Sequence, residues 1–370
     1  MPHALLFDIV ARHRASDFVD RVSLADFSLG PAQDVDAAIV VNDPDWSLYG
    51  VDLESDHAIF VRLAPGTDLS KATFVHILQH SAARQVLTVP LDALPELSIA
   101  LPAPEKIIFI FSMGRCGTTL ASQILARVPG VYSLSEPDPF MTLALARDTL
   151  PIARQQALLA AITRFSYRPP LGHGFKILAL KFQSQVLFQA ELFHRAFPQA
   201  INIFMYRDAD SWSNSMSRFM QMVGEPLAMD PKTAAFSWKM GGAATPWEHL
   251  ALTTDIDAKS FAHVQVIAPA WALHIEEYQR LAALGLPIMA LRYNELNANR
   301  VGSVARLLSH CGLPASTLAL AVEAFDYDSQ DGTQISRDHK VSQFTPQDYA
   351  RLHDILACFP GNLSPDLILP

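Results

Sequence analysis

Between residues 112 and 119 the chain reads Ser-Met-Gly-Arg-Cys-Gly-Thr-Thr, a run whose residue types suit an anion. Gly114 and Gly117 let the backbone approach a ligand closely, Thr118 and Thr119 add hydroxyl donors, and Arg115 adds a permanent positive charge. A second cluster, Ile-Phe-Met-Tyr-Arg-Asp-Ala-Asp-Ser-Trp-Ser-Asn-Ser, puts Arg207 directly after an apolar run and Ser215 eight residues later. A forked guanidinium and a hydroxyl two helical turns on can grip a second phosphate. Three residues have the chemistry for proton transfer or charge neutralisation: Glu136 in Tyr-Ser-Leu-Ser-Glu-Pro, Lys181 at the end of Phe-Lys-Ile-Leu-Ala-Leu-Lys, and His173 between two glycines.

The elements that must position these residues are legible in the apolar pattern. Ile107–Phe111 is a continuous apolar run, as in a strand buried on both faces, and Thr118–Val128 has the spacing of an amphipathic helix. A strand, a glycine loop and a helix in immediate succession aim backbone N–H groups and a helix N-terminus at one spot. Further strands are predicted at Val131–Leu134, Phe175–Leu180, Ile201–Tyr206 and Ile288–Tyr293. Helices are predicted at Val186–Phe197, Asp208–Met222 and Asn299–Cys311, the last stopping at Gly312. Strands alternating with helices imply an α/β domain over 105–370, a parallel sheet with helices on both faces. Residues 1–100 read as a small α+β region of unknown role, a structural cap or a dimerisation element. It has strands at Trp46–Leu53 and Ala58–Leu63, a helix over Leu69–Leu87, and a proline-rich connector at Leu94–Glu105. The segment Gly224–His263, broken by proline and glycine, is expected to form substrate-side loops and short helices.

Composition narrows the function classes. The chain has 370 residues, 50% of them hydrophobic and 18% charged, which excludes a disordered protein. The net charge of −9 argues against a nucleic-acid partner but not against a small polyanion held by a few focused cations. No apolar stretch approaches the roughly 20 residues of a membrane helix, and the first residues lack a secretory pattern, so the expectation is a cytoplasmic protein with no membrane partner. Cys116, Cys311 and Cys358 form neither a disulfide framework nor a metal knuckle.

The loop differs from that of nucleotide triphosphatases, Gly-x4-Gly-Lys-Ser/Thr, because the lysine is missing and no Walker-type Asp follows an apolar strand. That disfavours the rival reading, an ATP–Mg²⁺ phosphotransferase. Taken together, the two clusters resemble the sulfotransferase superfamily. Arg115-Cys116-Gly117-Thr118-Thr119-Leu120 matches its 5′-phosphosulfate loop, with Cys116 for the usual Ser and Gly114 for the common Pro. Arg207 and Ser215 match its 3′-phosphate pair at the family spacing. Leu291–Leu296 is similar to its late strand, and Ser329–Arg337 to a C-terminal segment of bacterial, carbohydrate and tyrosyl-protein branches. The resemblance implies a P-loop-like sulfotransferase fold that uses 3′-phosphoadenosine 5′-phosphosulfate, releases 3′,5′-ADP and needs no metal. It implies that Gly114, Arg115, Cys116, Gly117, Thr118, Thr119, Leu120, Arg207 and Ser215 hold the donor. A non-catalytic nucleotide-binding module is the other rival.

For catalysis the resemblance points to Glu136 as base, with Lys181 and Arg115 neutralising the transferred group. Lys181 departs from the family setting, since Phe182-Gln183 follow it. Asp138 shares the Glu136 turn, where solvation or capping is the ordinary role. His173 is the rival base; His249, His263 and His274 lie on the presumed acceptor side. Lys176 begins the Lys181 strand and reads as solvated. The resemblance implies a small-molecule or carbohydrate acceptor with a hydroxyl or amine, whose identity the residues do not give. Trp212, Trp238, Trp247, Phe219, Phe236 and Met222 are candidates for its pocket. Arg337 and Lys340 are candidates for a C-terminal lid over the nucleotide.

Overall fold

The computed structural model describes residues 3–14, 21–170, 172–222, 261–327, 344–359 and 363–370, with short pieces at 228–229, 232 and 234. The chain divides into two compact units. One comprises Met1–Phe109, Ser122–Phe182 and Glu191–Ala200; the other comprises Ile110–Ala121, Gln183–Ala190 and Ile201–Pro370. Among the described residues no helix is long and apolar enough to cross a membrane.

The first unit begins with β1 (His3–Arg12), β2 (Phe27–Leu29), β3 (Gln33–Asp36), β4 (Trp46–Asp52), β5 (His57–Arg62) and β6 (Gln85–Pro90). They form an antiparallel sheet of order β2-β1-β6-β5-β4, with β3 also paired to β1. Helices α1 (Ile39–Asn42), α2 (Val75–Ala82) and α3 (Leu94–Ile99) punctuate it. The expected Leu69–Leu87 helix is therefore shorter: a 3-10 turn covers Leu69–Lys71, α2 ends at Ala82, and β6 takes the residues from Gln85. Val86, Leu87 and Val89 are fully buried between β1 and β5, and that burial outweighs local helical spacing. The expected connector at Leu94 is helix α3. Its Pro95 lies in the first turn, where the missing N–H costs no hydrogen bond.

Strand β7 (Lys106–Ser112) and helix α4 (Thr118–Ala126) come next, each shared between the two units. The first unit then continues through β8 (Val131–Ser135), α5 (Asp138–Leu145), α6 (Ile152–Ser166), β9 (Ile177–Lys181) and most of α7 (Ala190–Ala196). The rings of Phe60 on β5 and Phe165 on α6 meet edge-on at 5.1 Å, and the Arg168 guanidinium donates to the carbonyls of Val40 and Asp43 at 3.0 and 2.7 Å. Residues 1–100 are thus packed against α6 and the chain that leads to β9. Strands β8 and β9 are parallel, in register from Val131 opposite Ile177 to Ser135 opposite Lys181.

The second unit carries β10 (Ile201–Tyr206), α8 (Ala209–Met222), a two-residue antiparallel ribbon of β11 (Ala228–Met229) with β12 (Phe261–Ala262), a long helix α9 (His263–Ala283), and β13 (Ile288–Arg292). Strands β10 and β13 are parallel, and Phe204 on β10 stacks on Tyr278 of α9 at 5.2 Å. Residues 363–370 close against the start of α8: Ala209 N–H donates to the Pro365 carbonyl at 2.8 Å, and Leu369 N–H donates to the Tyr206 hydroxyl at 2.9 Å. With β7, whose last three residues belong to this unit, the chain forms a five-stranded sheet of order β13-β10-β7-β9-β8. The molecule is α/β, as the alternating pattern predicts, preceded by an antiparallel sheet.

Candidate functional site

Two clusters hold the residues singled out by the sequence. The first lies in the second unit. Ile108–Phe111 of β7 are wholly buried, and the chain leaves the sheet after Ser112, whose hydroxyl accepts the Gly114 N–H at 3.2 Å. The loop then enters the left-handed region at Gly114 (φ 70°), Arg115 (φ 48°) and Gly117 (φ 82°). Such reversals turn successive N–H groups to one side and make an anion-binding concavity. A non-glycine residue held there is strained, and such strain persists where the surroundings impose it. Helix α4 follows at once. Its first helical bond runs from Ala121 N–H to the Gly117 carbonyl at 3.2 Å. The N–H groups of Thr118, Thr119 and Leu120 precede that bond and so belong to the open end of the helix.

Three bonds pin this loop to the second motif. Trp212 Nε1 donates to the Gly114 carbonyl at 2.8 Å, the Cys116 thiol donates to the Met205 carbonyl at 3.2 Å, and Met113 N–H donates to the same carbonyl at 3.4 Å. Tyr293, the first residue after β13, joins the two motifs from another side. A Cβ on Gly117 would clash with its ring edge, 2.5 Å from Cε2, and the Arg207 guanidinium lies 5.0 Å from the centre of that ring. Arg207 Nε donates to Ser211 Oγ at 2.7 Å, and its carbonyl accepts Trp271 Nε1 at 2.9 Å. Burial draws Arg207 below the ordinary arginine value, with Tyr293 and Asp208 opposing; an arginine remains charged regardless. Burial would raise Asp208, but the Ser211 hydroxyl and amide, Asn294 and Arg207 outweigh it and hold the carboxyl below its usual value. Ser215 is buried one helical turn beyond Ser211, on the same face of α8. The Arg115 guanidinium sits 5.6 Å from the Phe219 ring centre.

The second cluster lies in the first unit, where β8 and β9 end together. Glu136 follows β8 in a left-handed conformation (φ 54°), and its N–H donates to the Lys181 carbonyl at 2.8 Å. That reversal turns the Glu136 side chain back to an ion pair with Lys181 Nζ. The Lys181 side chain is 3% exposed and that of Glu136 21%, so the lysine is sealed and the carboxylate is reachable. The Phe74 ring centre lies 5.4 Å from Nζ. Asp138, expected to solvate or cap the turn, is instead 1% exposed and paired with Arg21 at 2.9 Å. Burial pushes its carboxyl up, against the pull of Arg21, His76 and Arg14.

The other candidates fall elsewhere. His173 is exposed in the loop before β9, stacked on Phe175 at 5.8 Å, whereas Lys181 is at the far end of that strand. Lys176 is exposed and paired with Glu105 at 2.9 Å. His263 is buried with Nδ1 3.1 Å from Ser217 Oγ, and His274 is buried against Phe188. Trp212, an acceptor-pocket candidate, is buried, and its Nε1 donates to the Gly114 carbonyl. Phe236, Trp238, Trp247, His249, Ser329–Arg337 and Lys340 lie outside the described residues. Sequence reasoning gave no role to Tyr293, Trp271, Arg21 or Phe74. The aromatic signal was present at Tyr293, directly after a strand-end arginine, but its closeness to Gly117 is a tertiary fact.

No protein-family model matches the chain, and no curated protein matches it. In structure it is similar to sulfotransferase STF1 from Mycobacterium tuberculosis H37Rv, with 14% identity, 70% of this chain and 78% of that chain covered, and a TM-score of 0.40. It is also similar to mouse sulfotransferase SULT7A1 complexed with PAP, with 13% identity, 72% and 87% covered, and a TM-score of 0.40. A third is sulfotransferase STF9 from Mycobacterium avium, with 14% identity, 62% and 71% covered, and a TM-score of 0.38.

Proposed function

We propose that the chain is a sulfotransferase that moves a sulfuryl group from 3′-phosphoadenosine 5′-phosphosulfate to a hydroxyl or amine of a small-molecule or carbohydrate acceptor. The observation that carries this reading is the joining of two anion-binding motifs through Tyr293 and Trp212: a strand–loop–helix without a P-loop lysine, and Arg207 with Ser215. A ligand with two separate phosphate groups fits that pairing. The glycine at 117 makes room for the Tyr293 ring, and the left-handed backbone at 114, 115 and 117 turns the loop N–H groups toward the ligand. Gly114 to Leu120 would hold the 5′ end, and Arg207 and Ser215 the 3′-phosphate. When bound, the donor supplies a sulfuryl group on a phosphate leaving group.

The chain's own residues do the rest. The loop N–H groups, the Thr118 and Thr119 hydroxyls and Arg115 supply fixed positive charge where negative charge develops, without reorganisation at the moment of reaction. A Glu136 Oε atom accepts the proton of the acceptor hydroxyl; general-base transfer of this kind contributes about 10²–10⁴-fold. Lys181 holds that carboxylate in one orientation and adds a cation for the transferred group.

The test is a metal-free thermal-shift titration with 3′,5′-ADP, with ATP–Mg²⁺ alongside. A ligand that binds only the folded state raises the melting temperature in proportion to RT ln(1 + [L]/Kd). Stabilisation by 3′,5′-ADP and not by ATP–Mg²⁺ is expected. Stabilisation by ATP–Mg²⁺ alone would replace this reading with a phosphotransferase. Donor binding without transfer to any of a panel of hydroxyl and amine acceptors would leave a binding module.

A further inference from the structure

Residues 1–100 have no role in the reading above, yet one of them touches its catalytic pair. Lys181 Nζ carries three N–H donors and is removed from water, a costly state unless its charge and its donors find partners. Glu136 is one partner; the face of Phe74 is another. An aromatic ring attracts a cation through its quadrupole but takes no proton and cannot compete with the carboxylate as a strong acceptor. Phe74 is itself fixed. It is 5% exposed, in extended backbone (φ −137°, ψ 122°) directly before α2, with its ring 6.2 Å from that of buried His76.

We propose that Phe74 is a positioning residue that holds the Lys181 ammonium against Glu136, so that the N-terminal region builds one wall of the catalytic pair. The ring leaves Glu136 as the directional partner of the ammonium, and the reachable carboxylate is thereby kept in one orientation. Arg21 braces the same turn from the same N-terminal region through Asp138, two residues beyond Glu136. The kinetic consequence rests on the sulfotransferase reading; the geometric one does not.

The experiment compares Phe74→Leu, which keeps apolar bulk but loses the π-face, with Phe74→Tyr and Phe74→Trp, which keep it. The first readout needs no donor: the Lys181 side-chain resonances in ¹H–¹⁵N and ¹H–¹³C spectra, assigned by their loss in Lys181→Met. In the wild-type protein the Lys181 Cε protons are expected upfield from the ring current, with a slowly exchanging ammonium signal. Phe74→Leu should abolish the upfield shift and speed ammonium exchange, and the two aromatic variants should restore both. The second readout is turnover: Phe74→Leu should lower kcat about 30-fold, the size of a desolvated cation–π contact, with the donor KM unchanged. The aromatic variants should recover it. A wild-type spectrum retained in Phe74→Leu would overturn the proposal. So would an altered spectrum with kcat unchanged, or a kcat loss equal in all three variants. If the wild-type protein transfers no sulfuryl group, the functional reading fails while the spectra still decide whether the ring holds the pair.

Discussion

At the end of β7 the backbone turns left-handed at Gly114, Arg115 and Gly117; at the end of β8 it does so once, at Glu136. In the proposed reading of the loop, the backbone itself is the functional group. Its reversals present N–H groups, and side chains such as Trp212 and Tyr293 serve to keep it in place. At Glu136 the backbone is the support. One reversal returns a carboxylate to the lysine at the end of the neighbouring strand, and in the proposed mechanism the side chains carry the chemistry. A site built from backbone N–H groups tolerates side-chain exchange. A side-chain pair does not. The two clusters should therefore fail in different ways: the loop through lost binding, the pair through lost turnover.

The largest expected effect is on the pair. Glu136→Gln should lower kcat by about 10²–10⁴-fold while calorimetry finds the 3′,5′-ADP affinity unchanged. Equal losses in both would mean that the two clusters are not functionally separable. Next is Gly117→Ala, which places a methyl group against the Tyr293 ring edge at a left-handed residue. It should abolish 3′,5′-ADP binding and lower the denaturation midpoint by about 2–3 kcal/mol of stability, as overpacking and backbone strain both oppose it. Gly172→Ala is the matched control, because Gly172 has the same backbone sign (φ 85°) but open space around it. There only the strain of about 1–2 kcal/mol should remain, with binding intact. Arg207→Ala should then weaken 3′,5′-ADP binding by about 10–100-fold, the scale of one charge-assisted contact, with kcat at saturating donor little changed.

The smallest effect separates the clusters by pH. Asp208 is held below the ordinary carboxyl value of 3.8, so the unfolded chain binds the extra proton in the window below that value. Its contribution to stability is present above that window and lost as pH falls through it. Asp138 is raised above 3.8, so the folded chain binds the extra proton, and its contribution declines as pH rises from 3.8 through its folded value. Urea midpoints between pH 3 and 6 should therefore fall less steeply on acidification in Asp208→Asn than in wild type. Asp138→Asn should change the slope in the opposite sense. Parallel curves for all three proteins would contradict both assignments.

What the sequence disclosed follows the same division. The strand–loop–helix at 106–126 was legible because strand, glycines and helix are contiguous, and each makes its local geometry by itself. Arg207 and Ser215 are near each other in the sequence, Arg207 two residues before α8 and Ser215 within it, so a local window contains both. The ion pair of Glu136 with Lys181 was not, since it depends on the register that puts Ser135 opposite Lys181. Asp138 looked like a turn residue because its partner, Arg21, is far away in the chain. The N-terminal sheet was only half read for a similar reason: β1 pairs with β2, β3 and β6, which no local window contains, and β6 was absorbed into the apolar spacing of α2. Pro95 marked a helix start rather than a connector, and a first-turn proline gives the same local signal in both cases.

The central claim is that the loop and Arg207 read two phosphate groups of one nucleotide. Calorimetric affinities of 3′,5′-ADP and 5′-AMP for wild type and Arg207→Ala test it most directly. Wild type should prefer 3′,5′-ADP, and the substitution should erase that preference while leaving 5′-AMP affinity where it was, so that the loss is assigned to the 3′-phosphate alone. An undiminished preference in Arg207→Ala, or equal affinities in wild type, would contradict the account.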